Sequence, residues 1–184
     1  MSNSQATTHN EEDVNRRDFL HIAAGGVGAV GAAMAAWPFV HQMNPAADTL
    51  ALASVEIDLS SVKEGEAVLV MWRKKPVFIR HRTQAEIAQA KADDQASLPD
   101  NQADADRVIA GKEQWLVLVG ICTHLGCVPV GTQPGSERGE FGGWFCPCHG
   151  SHYDISGRIR KGPAPANLEV PEYAFLNDTT IKIG

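Results

Sequence analysis

The sequence predicts a mostly β fold: an antiparallel-sheet head with one short inserted helix, carried on a single N-terminal transmembrane helix. Three observations lead there. Residues 19–40 contain no Asp, Glu, Lys or Arg, and about twenty such residues are what a helix needs to cross the hydrocarbon core of a bilayer. From Val55 onward, short runs of alternating apolar and polar residues are separated by polar or glycine-bearing turns, the period of half-buried strands. All four cysteines, with two of the seven histidines, fall in two short boxes, a concentration that core filling does not produce. At 184 residues the chain has room for one ordinary domain plus appendages. Its net charge of -6 leaves no basic stripe to neutralise phosphates, which argues against a nucleic-acid partner.

In chain order, residues 1–18 are polar and carry Glu11, Glu12 and Asp13, the composition of a solvated, disordered tail. The tail ends in Asn15-Arg16-Arg17-Asp18-Phe19-Leu20, similar to a twin-arginine export signal, although Asn15 and His21 are not the commoner residues there. Residues 19–41 form the predicted anchor. Gly25, Gly26, Gly28 and Gly31 permit close packing against other membrane helices, and Trp37 and Phe39 suit the far interface. Arg16 and Arg17 precede the span and no Lys or Arg follows until Lys63, so the N-terminus stays cytoplasmic and the head lies outside. Ala51-Leu52-Ala53 resembles a cleavage site, but it lies well beyond the apolar run, and a retained anchor is expected. Residues 42–54 lack a strand period, and Pro45 biases Asn44 away from helix; they read as a tether.

The head occupies residues 55–184. Strands are expected over 55–59, 67–72 and 76–80. Thr83-Gln84-Ala85-Glu86 matches a capping box, which predicts a helix over 84–92. Residues 93–106 are acidic, poor in apolar side chains and hold Pro99; they read as a surface loop whose charges serve solvation. Residues 115–121 form a continuous apolar strand delivering the first box. The glycine-rich stretch 131–143 is a flexible connection, and 141–145 leads back in as a strand. A strand over 152–154 would put Ser151 and Tyr153 on one face and His152 on the other. Gly162-Pro163-Ala164-Pro165 is a stiff loop, equally readable as a cover for the boxes or as a plain turn. Strands over 168–170, 173–176 and 179–183 close the sheet, with Asn177-Asp178 as a hairpin turn.

The boxes are Cys122-Thr123-His124-Leu125-Gly126-Cys127 and Cys146-Pro147-Cys148-His149-Gly150-Ser151. Six ligand-type residues exceed what one tetrahedral metal takes. Each box offers a Cys and a His close enough to grip one centre, Cys122-x-His124 and Cys146-x-x-His149, and each has one further cysteine. Two thiolates and two neutral imidazoles suit a two-iron, two-sulfur cluster with both Cys on one iron and both His on the other. A structural zinc site uses the same residue types, but it would not explain two similar half-sites.

These boxes, continued through His152 and Tyr153, resemble those of the Rieske iron–sulfur proteins of respiratory cytochrome bc complexes. The likeness takes in the anchor, the tether and the Gly-Pro-Ala-Pro loop, and so runs from about residue 16 to 184. It implies an antiparallel β-sandwich head of the Rieske type, with a cluster-binding subdomain over about 120–166. It also implies that Cys122, His124, Cys146 and His149 hold one 2Fe-2S cluster. Cys127 and Cys148 would pair as a disulfide, which needs an oxidising compartment. Ser151 and Tyr153 would donate hydrogen bonds to the cluster sulfurs or a ligating cysteine, and His149 would contact quinol and accept its proton. Gly162, Pro163, Ala164 and Pro165 would cover the cluster. The protein would sit in a bacterial inner membrane with its head in the periplasm, beside cytochrome b and c-type cytochrome subunits in a dimeric complex. There it would pass one electron at a time from quinol to a c-type haem. A Rieske ferredoxin or oxygenase domain lacks the extra cysteine pair. An exported Rieske subunit of a molybdenum oxidase, as in arsenite oxidase, need neither touch quinone nor keep its anchor.

Overall fold

The computed structural model describes residues 15–45 and 53–184, which belong to two compact units divided near residue 47. The first unit is α1 (Arg16–His41). Its start is fixed by a capping box: Asn15 Oδ1 accepts from the Arg17 and Asp18 backbone N–H groups at 2.8 and 3.2 Å, and the Asp18 carboxylate accepts from Asn15 N–H at 3.2 Å. Asn15, uncommon as an export-signal residue, thus has a local task, and the two arginines open the helix. An 18-residue window of α1 has a mean hydropathy of 1.6, and every residue of the helix is exposed. A helix apolar all round needs a covering of lipid or protein.

The head contains β1 (Val55–Asp58), β2 (Ala67–Trp72), β3 (Lys75–His81), α2 (Gln84–Ala92), β4 (Trp115–Val119), β5 (Gly142–Cys146), β6 (Ser151–Asp154), β7 (Ile159–Lys161), β8 (Tyr173–Phe175) and β9 (Thr180–Ile183). The strands form three antiparallel sheets, ordered β1-β9-β8, β2-β3-β4 and β5-β6-β7. Within the β2-β3-β4 sheet, β3 and β4 are covered on both faces. Val77 and Ile79 of β3 with Trp115 and Val117 of β4 pack against Ile181 and Ile183 of β9. Their alternates, Phe78, Leu116 and Leu118, meet Trp144, Tyr153, Ile159 and Leu168 on the other side. Successive side chains of a strand point to opposite faces, so a strand covered twice reads as an unbroken apolar run, as β4 does.

α2 begins at the foreseen capping box, with Thr83 Oγ1 accepting from Glu86 N–H at 3.2 Å. Three expectations need correction. β7 was not foreseen, because Ile159-Arg160-Lys161 offers one apolar residue. Residues 168–170 do not form a strand: Leu168 N–H bonds Gly157 O and Glu169 O accepts from Val119 N–H, so the alternation is real but no neighbouring strand runs alongside. The third concerns the acidic stretch at 93–106. Asp104 is fully buried and accepts from Arg82 Nη1 at 2.6 Å. Asp94 pairs with Arg158, Asp93 meets Arg160 at 3.2 Å, and Asp100 accepts from Asn167 N–H at 2.9 Å. These carboxylates are structural rather than solvating, because the donors that answer them, three arginines and one backbone N–H, are supplied from other segments of the chain.

Candidate metal centre

The two boxes become two similar turns at strand ends. The first follows β4 and closes on itself, with Cys122 N–H bonded to Cys127 O at 2.7 Å and Gly126 N–H to Cys122 O at 3.0 Å. The second joins β5 to β6, where Cys146 and Ser151 are register partners and Gly150 N–H bonds Cys146 O at 3.0 Å. Gly126 and Gly150 have φ of 81° and 75°, a backbone region that glycine enters without a Cβ penalty. Cys127 and Cys148 are joined as a disulfide that links the two turns.

The remaining set is two thiols and two imidazoles. Cys122 and Cys146 are free thiols, each 2 % exposed. The His124 and His149 rings meet edge to face with centroids 4.6 Å apart. His149 is exposed and His124 half-buried. His124 Nδ1 is buried with no hydrogen-bond partner, an orphan that a native structure retains for a reason, and a metal bond is one. The sulfurs of Cys127, Cys146 and Cys148 also lie within 4.8 Å of one another. Two of these are bonded to each other and have no thiolate to offer, so that trio is no metal site. The two free thiols and two imidazoles fit the mixed donor set of a 2Fe-2S cluster.

Electrostatics separates the two thiols. Burial opposes ionisation of Cys122, but hydrogen bonds from the Tyr153 hydroxyl, the His124 backbone N–H, Cys146 and Ser151 outweigh it and hold its pKa below the ordinary thiol value. Cys146 is pushed up by burial and, secondarily, by its Cys122 neighbour, against the backbone N–H of Cys148. Tyr153 Oη stands 3.2 Å from Cys122 Sγ, and burial together with this bond raises the phenol's pKa, so it stays protonated as a donor. Ser151 Oγ accepts from Ala164 N–H at 3.2 Å, and Thr123 Oγ1 donates to Ala166 O at 2.6 Å. These bonds bring the Gly162, Pro163, Ala164 and Pro165 loop against both turns, with Ala164 buried beside Cys122 and Cys146 in one cluster.

The sequence reading passed over Thr123, whose only signal is a hydroxyl set between Cys122 and His124. It also passed over Leu125 and Val128, which are exposed around the first turn; single apolar residues there look like ordinary loop residues.

Residues 58–174 match the model of the Rieske [2Fe-2S] domain, and residues 6–46 match that of the ubiquitinol-cytochrome C reductase Fe-S subunit TAT signal. The chain is 64% identical to the ubiquinol-cytochrome c reductase iron-sulfur subunit of Rhodospirillum rubrum, over 92% of each chain. It is 55% identical to that of Bradyrhizobium diazoefficiens, over 97% of this chain and 99% of the other. Among solved structures it is similar to a chain of a hyperthermophilic respiratory Complex III, with a TM-score of 0.54 and 26% identity, covering 88% of this chain and 98% of that one.

Proposed function

This chain belongs to the Rieske iron–sulfur subunits of ubiquinol-cytochrome c reductase, and from that membership we propose that Cys122, His124, Cys146 and His149 hold its 2Fe-2S cluster. The protein is the electron-transfer subunit of that oxidoreductase and a partner of the cytochromes of its complex. One observation carries the ligand assignment: two free buried thiols stand on the same two turns as two imidazoles that meet edge to face, while the other two cysteines are consumed in a disulfide.

When bound, the cluster supplies one-electron chemistry at a potential lifted by neutral imidazole in place of anionic thiolate. The protein's own groups shape that chemistry. The Tyr153 hydroxyl, aimed at Cys122 Sγ, stabilises negative charge on that sulfur, and more of it after reduction, because a hydrogen bond to a charged acceptor is stronger. Ser151 contributes a second hydroxyl while tying down the proline loop. His149, exposed at the tip, offers its outer ring nitrogen to a quinol hydroxyl and holds the proton that leaves it. Exposed Leu125 and Val128 give this tip the apolar rim suited to a quinone pocket.

The remaining assignments extend this reading: a cytoplasmic tail at 1–18, an anchor at 19–41, a tether at 42–54 and a head from 55 whose cluster-binding part spans about 120–166. Within the tether, residues 46–52 lie outside the described residues. The N-terminal apolar helix and the match to the export-signal model fit a membrane-anchored, exported subunit. The chain would be held in a bacterial inner membrane with its N-terminus cytoplasmic and its head in the periplasm, within a dimeric complex. The head would move between quinol and the c-type haem. The molybdenum-oxidase alternative is disfavoured, since relatives named as reductase subunits match over nine-tenths of both chains.

An electron paramagnetic resonance redox titration of native membranes, with and without a quinol-site inhibitor, tests this reading. The expected result is a Rieske signal reduced by quinol and altered in line shape by the inhibitor. A quinol-insensitive signal would overturn it.

A further inference from the structure

The turn between β6 and β7 is gripped from outside its own sheet. Arg107, 2 % exposed, donates from Nε to Ser156 O at 2.7 Å and from Nη2 to Leu168 O at 2.6 Å. Its Nη1 donates to Gln102 Oε1 at 2.6 Å. Asp104 accepts the Ser156 hydroxyl at 2.5 Å while paired with buried Arg82. Within the turn, Asp154 Oδ1 accepts from the Ser156 and Arg158 backbone N–H groups at 2.9 and 3.0 Å. Its Oδ2 accepts from Arg158 Nε at 2.8 Å. Tyr153 is the adjoining residue and stands opposite Ile159 in the β6-β7 register.

The location of Arg107 makes a purely stabilising role a poor account of it. Burial presses its guanidinium down to about 10, with Asp154 the foremost charge opposing that shift. A desolvated cation is costly to keep, and here its fork is spent on two backbone carbonyls from separate segments and one side-chain amide oxygen. That arrangement fixes geometry. The Tyr153 hydroxyl reaches Cys122 Sγ at 3.2 Å, and hydrogen bonds weaken steeply with misalignment. A small tilt of the turn would be felt at the sulfur.

We propose that Arg107 and Ser156 are positioning residues: by fixing the turn after Tyr153 they hold its hydroxyl on Cys122 Sγ and so set the reduction potential of the centre. The inference rests on Cys122 being a ligand. The acidic stretch is then the outer end of a strut whose inner end is a hydrogen bond to the Cys122 sulfur.

The test uses the full-length protein in its native membranes, with the midpoint read by paramagnetic resonance titration and the iron–thiolate stretch by resonance Raman. Arg107→Lys and Ser156→Ala are each made alone and combined with Tyr153→Phe. Both single variants should lower the midpoint and shift the stretch in the direction that Tyr153→Phe does. In the Tyr153→Phe background neither should add a further shift, the signature of residues acting through one bond. Arg107→Lys keeps the charge, so a role through charge alone predicts an unmoved midpoint. Such a result with full cluster content would overturn the proposal, as would shifts that add fully to Tyr153→Phe. Loss of the cluster in both single variants would overturn it too, because the strut would then be scaffolding. If Tyr153→Phe alone leaves the midpoint in place, the reading of Cys122 as a ligand fails instead, and the proposal with it.

Discussion

The two cysteine–histidine turns offer the same residue types on similar backbones and are unlike in their surroundings. The first leaves a β4 strand covered on both faces, half-buries its imidazole and places its thiol under the Tyr153 hydroxyl. The second bends between two strands, exposes its imidazole and keeps its thiol where burial is the foremost cause opposing ionisation. A shared set of residue types therefore meets two environments: one thiol lies under a phenol hydroxyl, and the other turn's imidazole is exposed. Each turn is attached to different elements, the first to doubly covered β4 and the second to β5 and β6.

The largest expected effect tests whether the halves are equivalent as ligand sources. Cys122→Ser and Cys146→Ser should each abolish the paramagnetic signal. Full cluster retention in Cys146→Ser would break the two-half scheme. Next comes the covalent link. A Cys127→Ser, Cys148→Ser double variant should still assemble cluster but lose it readily on warming, because closing a loop of about twenty residues is worth about 3 kcal/mol through the unfolded chain. A thermal cluster-loss curve that overlays the parent's would show that the turns are held together without the bridge.

The subtler effects separate tuning from presentation. If the bond from Tyr153 gains roughly 1 to 2 kcal/mol on reduction, Tyr153→Phe should lower the midpoint by roughly 40 to 90 mV by the one-electron conversion. Redox titration measures it, and an unchanged value would remove the asymmetry proposed for Cys122. Ser151→Ala should lower it by less, since the Ser151 oxygen is also engaged by Ala164 N–H and its hydroxyl contributes less to Cys122 than that of Tyr153. A Ser151→Ala shift larger than that of Tyr153→Phe would reverse the ranking.

Much of this was legible in the residues. The helix cap at Thr83, the double-sided burial of β4 and the shared face of Ser151 and Tyr153 follow from periods of two and from capping chemistry, which are local. The two boxes declare themselves by concentration. What was not legible depends on partners distant in the chain. Asp104 is buried because Arg82 and Ser156 meet it, and nothing within the acidic stretch distinguishes it from solvent-facing Asp106. Thr123 is likewise defined by a bond to Ala166, 43 residues away. Ion pairs and side-chain-to-backbone bonds have no period, so a linear reading assigns their members to the surface.

The disulfide between Cys127 and Cys148 also changes the topology of the chain. Together with the intervening backbone it makes a covalent ring, and the whole glycine-rich excursion between the turns lies on that ring. A protease that cuts there, at Arg138 for example, opens the ring without separating the molecule: both half-sites stay joined through sulfur. Such a nicked protein would run as one species on a non-reducing gel and as two fragments after thiol treatment. While the bridge stands, a backbone break in this excursion leaves both turns in one covalent molecule.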